Sequence, residues 1–130
     1  MKLVSTLVTV YAALLAACGL ALVFAPTEVG ALVSAGPGAE AGLLQVIGAA
    51  FVGFATANWT ARTSVLGGIY GRAVVAGNQA FAFVGALCLV GSAPEAPGIV
   101  YWVLVAVLGF GAVLFSWLLF GGGRIVADAD

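Results

Sequence analysis

The sequence has little charge and no histidine. Of its 130 residues only 7% are charged, whereas 64% are hydrophobic and the mean hydropathy is +1.24. Soluble domains are typically about one quarter charged, and a soluble chain this apolar would expose large hydrophobic patches to water. A soluble fold is therefore excluded, and the chain is predicted to be an integral membrane protein whose main partner is the lipid bilayer.

The same scarcity excludes other classes of partner. Four Lys and Arg are set against five Asp and Glu, which gives a net charge of −1 and no basic patch for nucleic acid. Without histidine, and with Met1 as the only methionine, the sequence lacks the usual axial ligands of haem and the imidazole preferred at zinc sites. We therefore expect neither a metal nor a cofactor.

Four long apolar segments are what the sequence does have, and they run over residues 3–24, 42–59, 73–90 and 99–120. A helix needs about 20 apolar residues to cross the bilayer, and the segments do not alternate as barrel strands do. All four prolines lie between the segments, where a missing N–H does least harm. The sequence predicts an all-α, up-down bundle of four transmembrane helices, with residues 1–130 as a single membrane domain.

The positive charges predict the orientation of this bundle. Lys2 precedes the first segment, Arg62 and Arg72 flank the second loop, and Arg124 follows the fourth segment. The first and third loops contain no Lys or Arg. By the positive-inside rule, both termini and the second loop are expected in the cytoplasm.

The two cysteines allow more than one interpretation. Residues 15–19 are similar to a lipoprotein signal with Cys18 as the lipidated residue, but apolar residues continue to Phe24, so we expect a retained span. Cys18 and Cys88 each lie 15 residues into an outgoing helix, which places both at a depth of about 22 Å. A disulfide is geometrically possible if the first and third spans touch, and two buried small hydrophobes are the favoured interpretation.

Small residues recur at helical spacing in the spans. Gly53 and Ala57 form a small-xxx-small pair in the second span, and Gly77 and Gly85 lie in the third. Such faces let helix backbones approach closely. We expect internal packing for spans two and three, with contacts to other chains as the alternative. The fourth span is rich in Val, Leu, Phe and Trp, and we expect it to face lipid.

The polar residues concentrate at the predicted cytoplasmic side. Asn58, Arg62, Tyr70, Arg72 and Asn78 form this candidate ligand-binding cluster. In one interpretation they line a pocket for an anionic headgroup or small anion, because guanidinium and amide donors suit phosphate and carboxylate. In the other, the arginines anchor the topology at lipid phosphates, and the asparagines form interhelical hydrogen bonds worth about 1 kcal/mol or less each.

The same segment carries a resemblance. The arrangement Asn-Trp-x-x-Arg at 58–62, then Gly-Gly-x-Tyr-Gly-Arg at 67–72, with Asn78 following, resembles the middle of small four-span bacterial membrane proteins of unknown function. The likeness covers the second and third spans. It implies a bacterial inner membrane and supplies no activity.

Two functional hypotheses follow. No span holds an Asp, Glu, Lys or Arg for acid–base or nucleophilic chemistry, so we expect no enzymatic activity. Short loops and small helix faces favour an accessory or scaffold subunit of a homo-oligomer or larger membrane complex. The alternative is a small transporter or lipid- or anion-binding protein that uses the cytoplasmic-side Asn/Arg cluster.

Overall fold

The chain folds into helices joined by short connections. The computed structural model describes residues 2–33, 41–64 and 68–127, with side chains up to residue 121. Within these residues lie five helices: α1 Lys2–Phe24, α2 Pro26–Val33, α3 Ala41–Ala61, α4 Gly68–Gly91 and α5 Ile99–Ala127. All except α2 are long and apolar enough to cross a membrane. The all-α fold class and the four candidate transmembrane helices are thus confirmed, and each predicted span lies within one helix.

Helices α1 and α3 pack together at two facing glycines. A Cβ atom added to Gly19 would lie 2.8 Å from the carbonyl oxygen of Gly48, and one added to Gly48 would lie 2.8 Å from that of Gly19. A methyl group of Val52 would lie 2.9 Å from the Cβ atom added to Gly19, and a methyl group of Val23 would lie 2.9 Å from the one added to Gly48. Only glycine fits at both positions, so the backbones themselves form this interface.

Helices α4 and α5 form the second pair. A Cβ atom added to Gly85 would lie 3.0 Å from a methyl group of Leu108. At one end of the pair, the hydroxyl of Tyr101 donates a hydrogen bond to the carbonyl oxygen of Leu89. Small-to-large packing and a side-chain hydrogen bond therefore hold α5 against α4.

Tyr11 joins the two pairs from the α1 side. Its side chain is fully buried, and its ring meets those of Phe110 and Phe115 edge to face, with centroids 6.0 and 5.4 Å away. The phenol ring rests directly on Gly111 of α5. A side chain at position 111 would displace Tyr11, so this glycine serves internal packing.

The burial of the helices contradicts one expectation. In their most apolar stretches α1 and α5 are each 33% buried, α3 is 28% buried and α4 is 17% buried. The prediction that the fourth span faces lipid more than the others is therefore wrong, because α5 is buried as much as α1 and contributes Val107, Leu108 and Phe115 to the core. Lipid tails are as apolar as leucine, so bulky apolar composition does not distinguish a core-facing helix from a lipid-facing one.

The cysteines are not bonded to each other. Both are free; Cys18 is half-buried, and Cys88 is exposed on α4. The interpretation as two buried hydrophobes is wrong for Cys88, because the buried positions Val75, Asn78 and Ala82 lie on another side of α4.

The short helix α2 follows α1 after a single residue, Ala25. Pro26 takes its first position, where no N–H is required. Its last residue accepts a hydrogen bond from the N–H of Gly98, 3.2 Å from the carbonyl oxygen of Val33. The backbone N–H of Glu28 and the hydroxyl of Thr27 lower the pKa of the Glu28 carboxyl. The charged, fully exposed carboxylate favours contact of this helix with water.

We predict that Gly48→Ala lowers the free energy of unfolding by about 1–3 kcal/mol, because the new methyl group overpacks the contact with Gly19. The measurement is denaturant-induced unfolding in mixed micelles. Gly109→Ala is the matched control, since a Cβ atom there meets nothing within 4 Å. Equal stability of the two variants would contradict the close packing of α1 and α3.

Candidate functional site

Two buried asparagines connect α3 with α4. Asn58 is 0% exposed and Asn78 is 1% exposed. The Asn58 Nδ2 donates a hydrogen bond to the Asn78 Oδ1 over 2.7 Å, and the Asn78 Nδ2 donates to the carbonyl oxygen of Val74 over 2.8 Å. The Asn58 Oδ1 is buried without a hydrogen-bond partner among the described residues. Three of the four polar atoms of the two amides thus have a hydrogen-bond partner within the protein.

Aromatic rings from α3 and α4 meet farther along the same interface. The rings of Phe54 and Phe81 stack with centroids 4.2 Å apart and planes inclined by 17°, while Phe51 meets Phe81 edge to face at 5.3 Å. Phe54 also contacts the position of Gly77, at 3.9 Å from an added Cβ. These apolar rings help to keep the local dielectric constant around the amides low, which strengthens the hydrogen bond between them.

Arg62 follows directly after α3 and folds back over it. Its guanidinium lies 4.3 Å from the centre of the Trp59 ring, and its Nη1 donates a hydrogen bond to the carbonyl oxygen of Trp59. Cation–π contacts of this kind hold a guanidinium over an indole face. Because Trp59 is half exposed, the arginine is fixed at the surface of the bundle.

Tyr70 in the first turn of α4 and Arg72 at the start of the second both point outward. Tyr70 is 89% exposed, and Arg72 is also exposed. Of the five residues predicted to bind a ligand, the structure brings Asn58 and Asn78 together and places Arg62 against Trp59. A shared ligand-binding role for the five residues stays a prediction.

A groove between α1 and α3 was not predicted from the sequence. Its volume is about 310 Å³, and it is lined from α1 by Ala12, Ala13, Ala16 and Leu20, and from α3 by Val52, Ala55, Thr56 and Trp59. The Thr56 hydroxyl donates to the carbonyl oxygen of Val52 over 2.9 Å, so the walls are essentially apolar. The clustered alanines of α1 were the available signal, but their pairing with α3 depends on how the helices cross.

Comparison with protein-family models, with curated proteins and with solved structures finds no match to this chain. Functional inference therefore rests on the residues themselves.

We predict that Asn58 and Asn78 are energetically coupled by about 1 kcal/mol, the usual scale for interhelical hydrogen bonds in membranes. A double-mutant cycle with Asn58→Val and Asn78→Val, followed by unfolding in mixed micelles, measures this coupling. A parallel cycle pairs Asn58→Val with Thr6→Val, whose hydroxyl bonds its own helix, and is expected to give no coupling. Additive effects in the Asn58/Asn78 cycle would contradict the assignment.

Proposed function

We propose that this protein is a non-catalytic integral membrane protein that acts as an accessory or scaffold subunit of a homo-oligomer or larger membrane complex. The observation that carries the proposal is a small-residue face on α3 which the bundle does not use. Gly42, Ala49 and Gly53 are exposed along one side of this helix, with the exposed Val46 between Gly42 and Ala49. A Cβ atom added to Gly42 or Gly53 meets none of the residues that the structure describes within 4 Å.

The contrast with other glycines supports this interpretation. Glycine within a helix is less favourable than alanine by about 1 kcal/mol, and at Gly19, Gly48 and Gly111 close packing explains its presence. Gly53 has no such explanation inside the bundle. Small exposed faces are the usual contact surfaces between membrane helices, so a helix of another chain is the partner that we propose for this face.

Up-down topology with both termini in the cytoplasm is part of the proposal. The positive charges support the orientation. Two side-chain hydrogen bonds support hairpins, since Gln45, near the start of α3, donates to the carbonyl oxygen of Val23 at the end of α1 over 3.1 Å. Tyr101, near the start of α5, bonds Leu89 near the end of α4. The bacterial inner membrane is the location that the sequence resemblance implies.

The lack of catalysis is proposed from the four predicted spans, residues 3–24, 42–59, 73–90 and 99–120, which hold no Asp, Glu, Lys or Arg. The alternative, a transporter or anion-binding protein built on the Asn/Arg cluster, is less favoured. Asn58 and Asn78 are bonded to each other and almost fully buried, so a ligand at the surface of the bundle does not reach their amides.

We predict that Gly53→Leu dissociates the assembly, because a bulky side chain separates helices that meet at a small face. Native mass spectrometry after extraction in mild detergent measures the assembly. Ala106→Leu, at an exposed position of α5, is the control and is expected to keep it. A monomeric wild-type protein without partners would contradict the subunit proposal, and an intact Gly53→Leu assembly would contradict the choice of this face.

We also predict the labelling pattern of substituted cysteines in a background with Cys18→Ser and Cys88→Ser. A membrane-impermeant maleimide is expected to label Glu95→Cys in intact cells, because its loop faces outward in the proposed topology. Ser64→Cys, in the turn after α3, is expected to react only after the membrane is permeabilised. The opposite pattern would contradict the orientation.

A further inference from the structure

The groove between α1 and α3 is open on the surface of the bundle. Of the residues that line it, Ala13, Leu20 and Thr56 are exposed. The helices touch at Gly19 and Gly48 near one end of the groove, and small alanine side chains leave the space beyond this contact unfilled. The groove therefore has apolar walls and is accessible from the surrounding membrane.

The positive charge of Arg62 lies at the opposite end of this groove. Trp59 is its last lining residue along α3, and the Arg62 guanidinium lies over the Trp59 ring. One guanidinium nitrogen donates to the Trp59 carbonyl oxygen, and the planar fork has further N–H donors that suit a phosphate. No Asp or Glu occurs between residues 59 and 72. Arg62 therefore has no acidic neighbour along the chain to neutralise it.

We propose that the groove binds one anionic phospholipid, with an acyl chain along the alanines and its phosphate on Arg62. An apolar groove that ends at a guanidinium is complementary to a molecule that joins a hydrocarbon chain to a phosphate. Trp59 holds the boundary between the two parts, as indole rings do at membrane interfaces. None of the residues that line this site belongs to the α3 face of Gly42, Ala49 and Gly53, although Thr56 adjoins Gly53 one turn along the helix.

Quenching of Trp59 fluorescence by brominated acyl chains tests the site directly. The protein carries Trp102→Phe and Trp117→Phe, so that Trp59 is the remaining tryptophan, and is placed in vesicles of phosphatidylcholine with a titrated fraction of brominated lipid. We expect brominated phosphatidylglycerol to quench Trp59 at about fivefold lower fraction than brominated phosphatidylcholine, as one arginine contact with an anionic lipid would give.

Two variants and two controls separate the parts of the proposal. Arg62→Gln is expected to abolish the preference for the anionic lipid, and Ala13→Leu, which fills the groove at an exposed position, is expected to reduce quenching by both lipids. Arg72→Gln and Ala80→Leu change exposed residues of α4 and are expected to leave both properties unchanged.

Three results would overturn the proposal. One is equal quenching by the two lipids in the parent protein. A second is an anionic preference that Arg62→Gln keeps or that Arg72→Gln removes equally. The third is a disulfide-linked dimer formed through Ala13→Cys in a background with Cys18→Ser and Cys88→Ser, because a second copy would then occupy the groove.

Discussion

The backbone contact between Gly19 and Gly48 is the constraint on which much of this bundle depends. A bilayer offers no hydrophobic gain for pressing one apolar helix against another, so association relies on close van der Waals contact and on hydrogen bonds. Two facing glycines bring α1 and α3 together where any side chain would separate them. The same crossing leaves the alanine-lined groove beyond it and sets Trp59 at the groove's far end.

Two different kinds of contact hold the α1–α3 pair against the α4–α5 pair. Between α1 and α5 the contact is apolar and aromatic, with Tyr11 seated on Gly111 among phenylalanine rings. Between α3 and α4 it combines the Asn58–Asn78 hydrogen bond with the stacked rings of Phe54 and Phe81. Specific side chains, more than extended surfaces, therefore fix how the two pairs meet.

Length and charge were enough to predict the class of fold. Four uncharged segments of sufficient length became four helices, because the bilayer requires its spans to satisfy their own backbone hydrogen bonds. Which side of each helix faces the core could not be predicted in the same way. Gly48 and Gly53 look alike in the sequence, yet one is buried in a contact and the other is exposed. Likewise the bulky α5 contributes as many buried positions as α1, since an apolar side chain can face either the core or the lipid in an apolar solvent.

The asparagine pair has a consequence for biogenesis. Asn58 belongs to the first helix pair and Asn78 to the second, and each pair joins helices that are close neighbours in the chain apart from the short α2. In the proposed up-down topology, each pair can therefore form as its two helices leave the translation machinery. Until the two pairs meet, the Asn58 Nδ2 lacks the Asn78 Oδ1 as its acceptor, a hydrogen bond worth about 1 kcal/mol between membrane helices. The Asn58–Asn78 hydrogen bond therefore favours docking of the two pairs in the one register that brings these amides together.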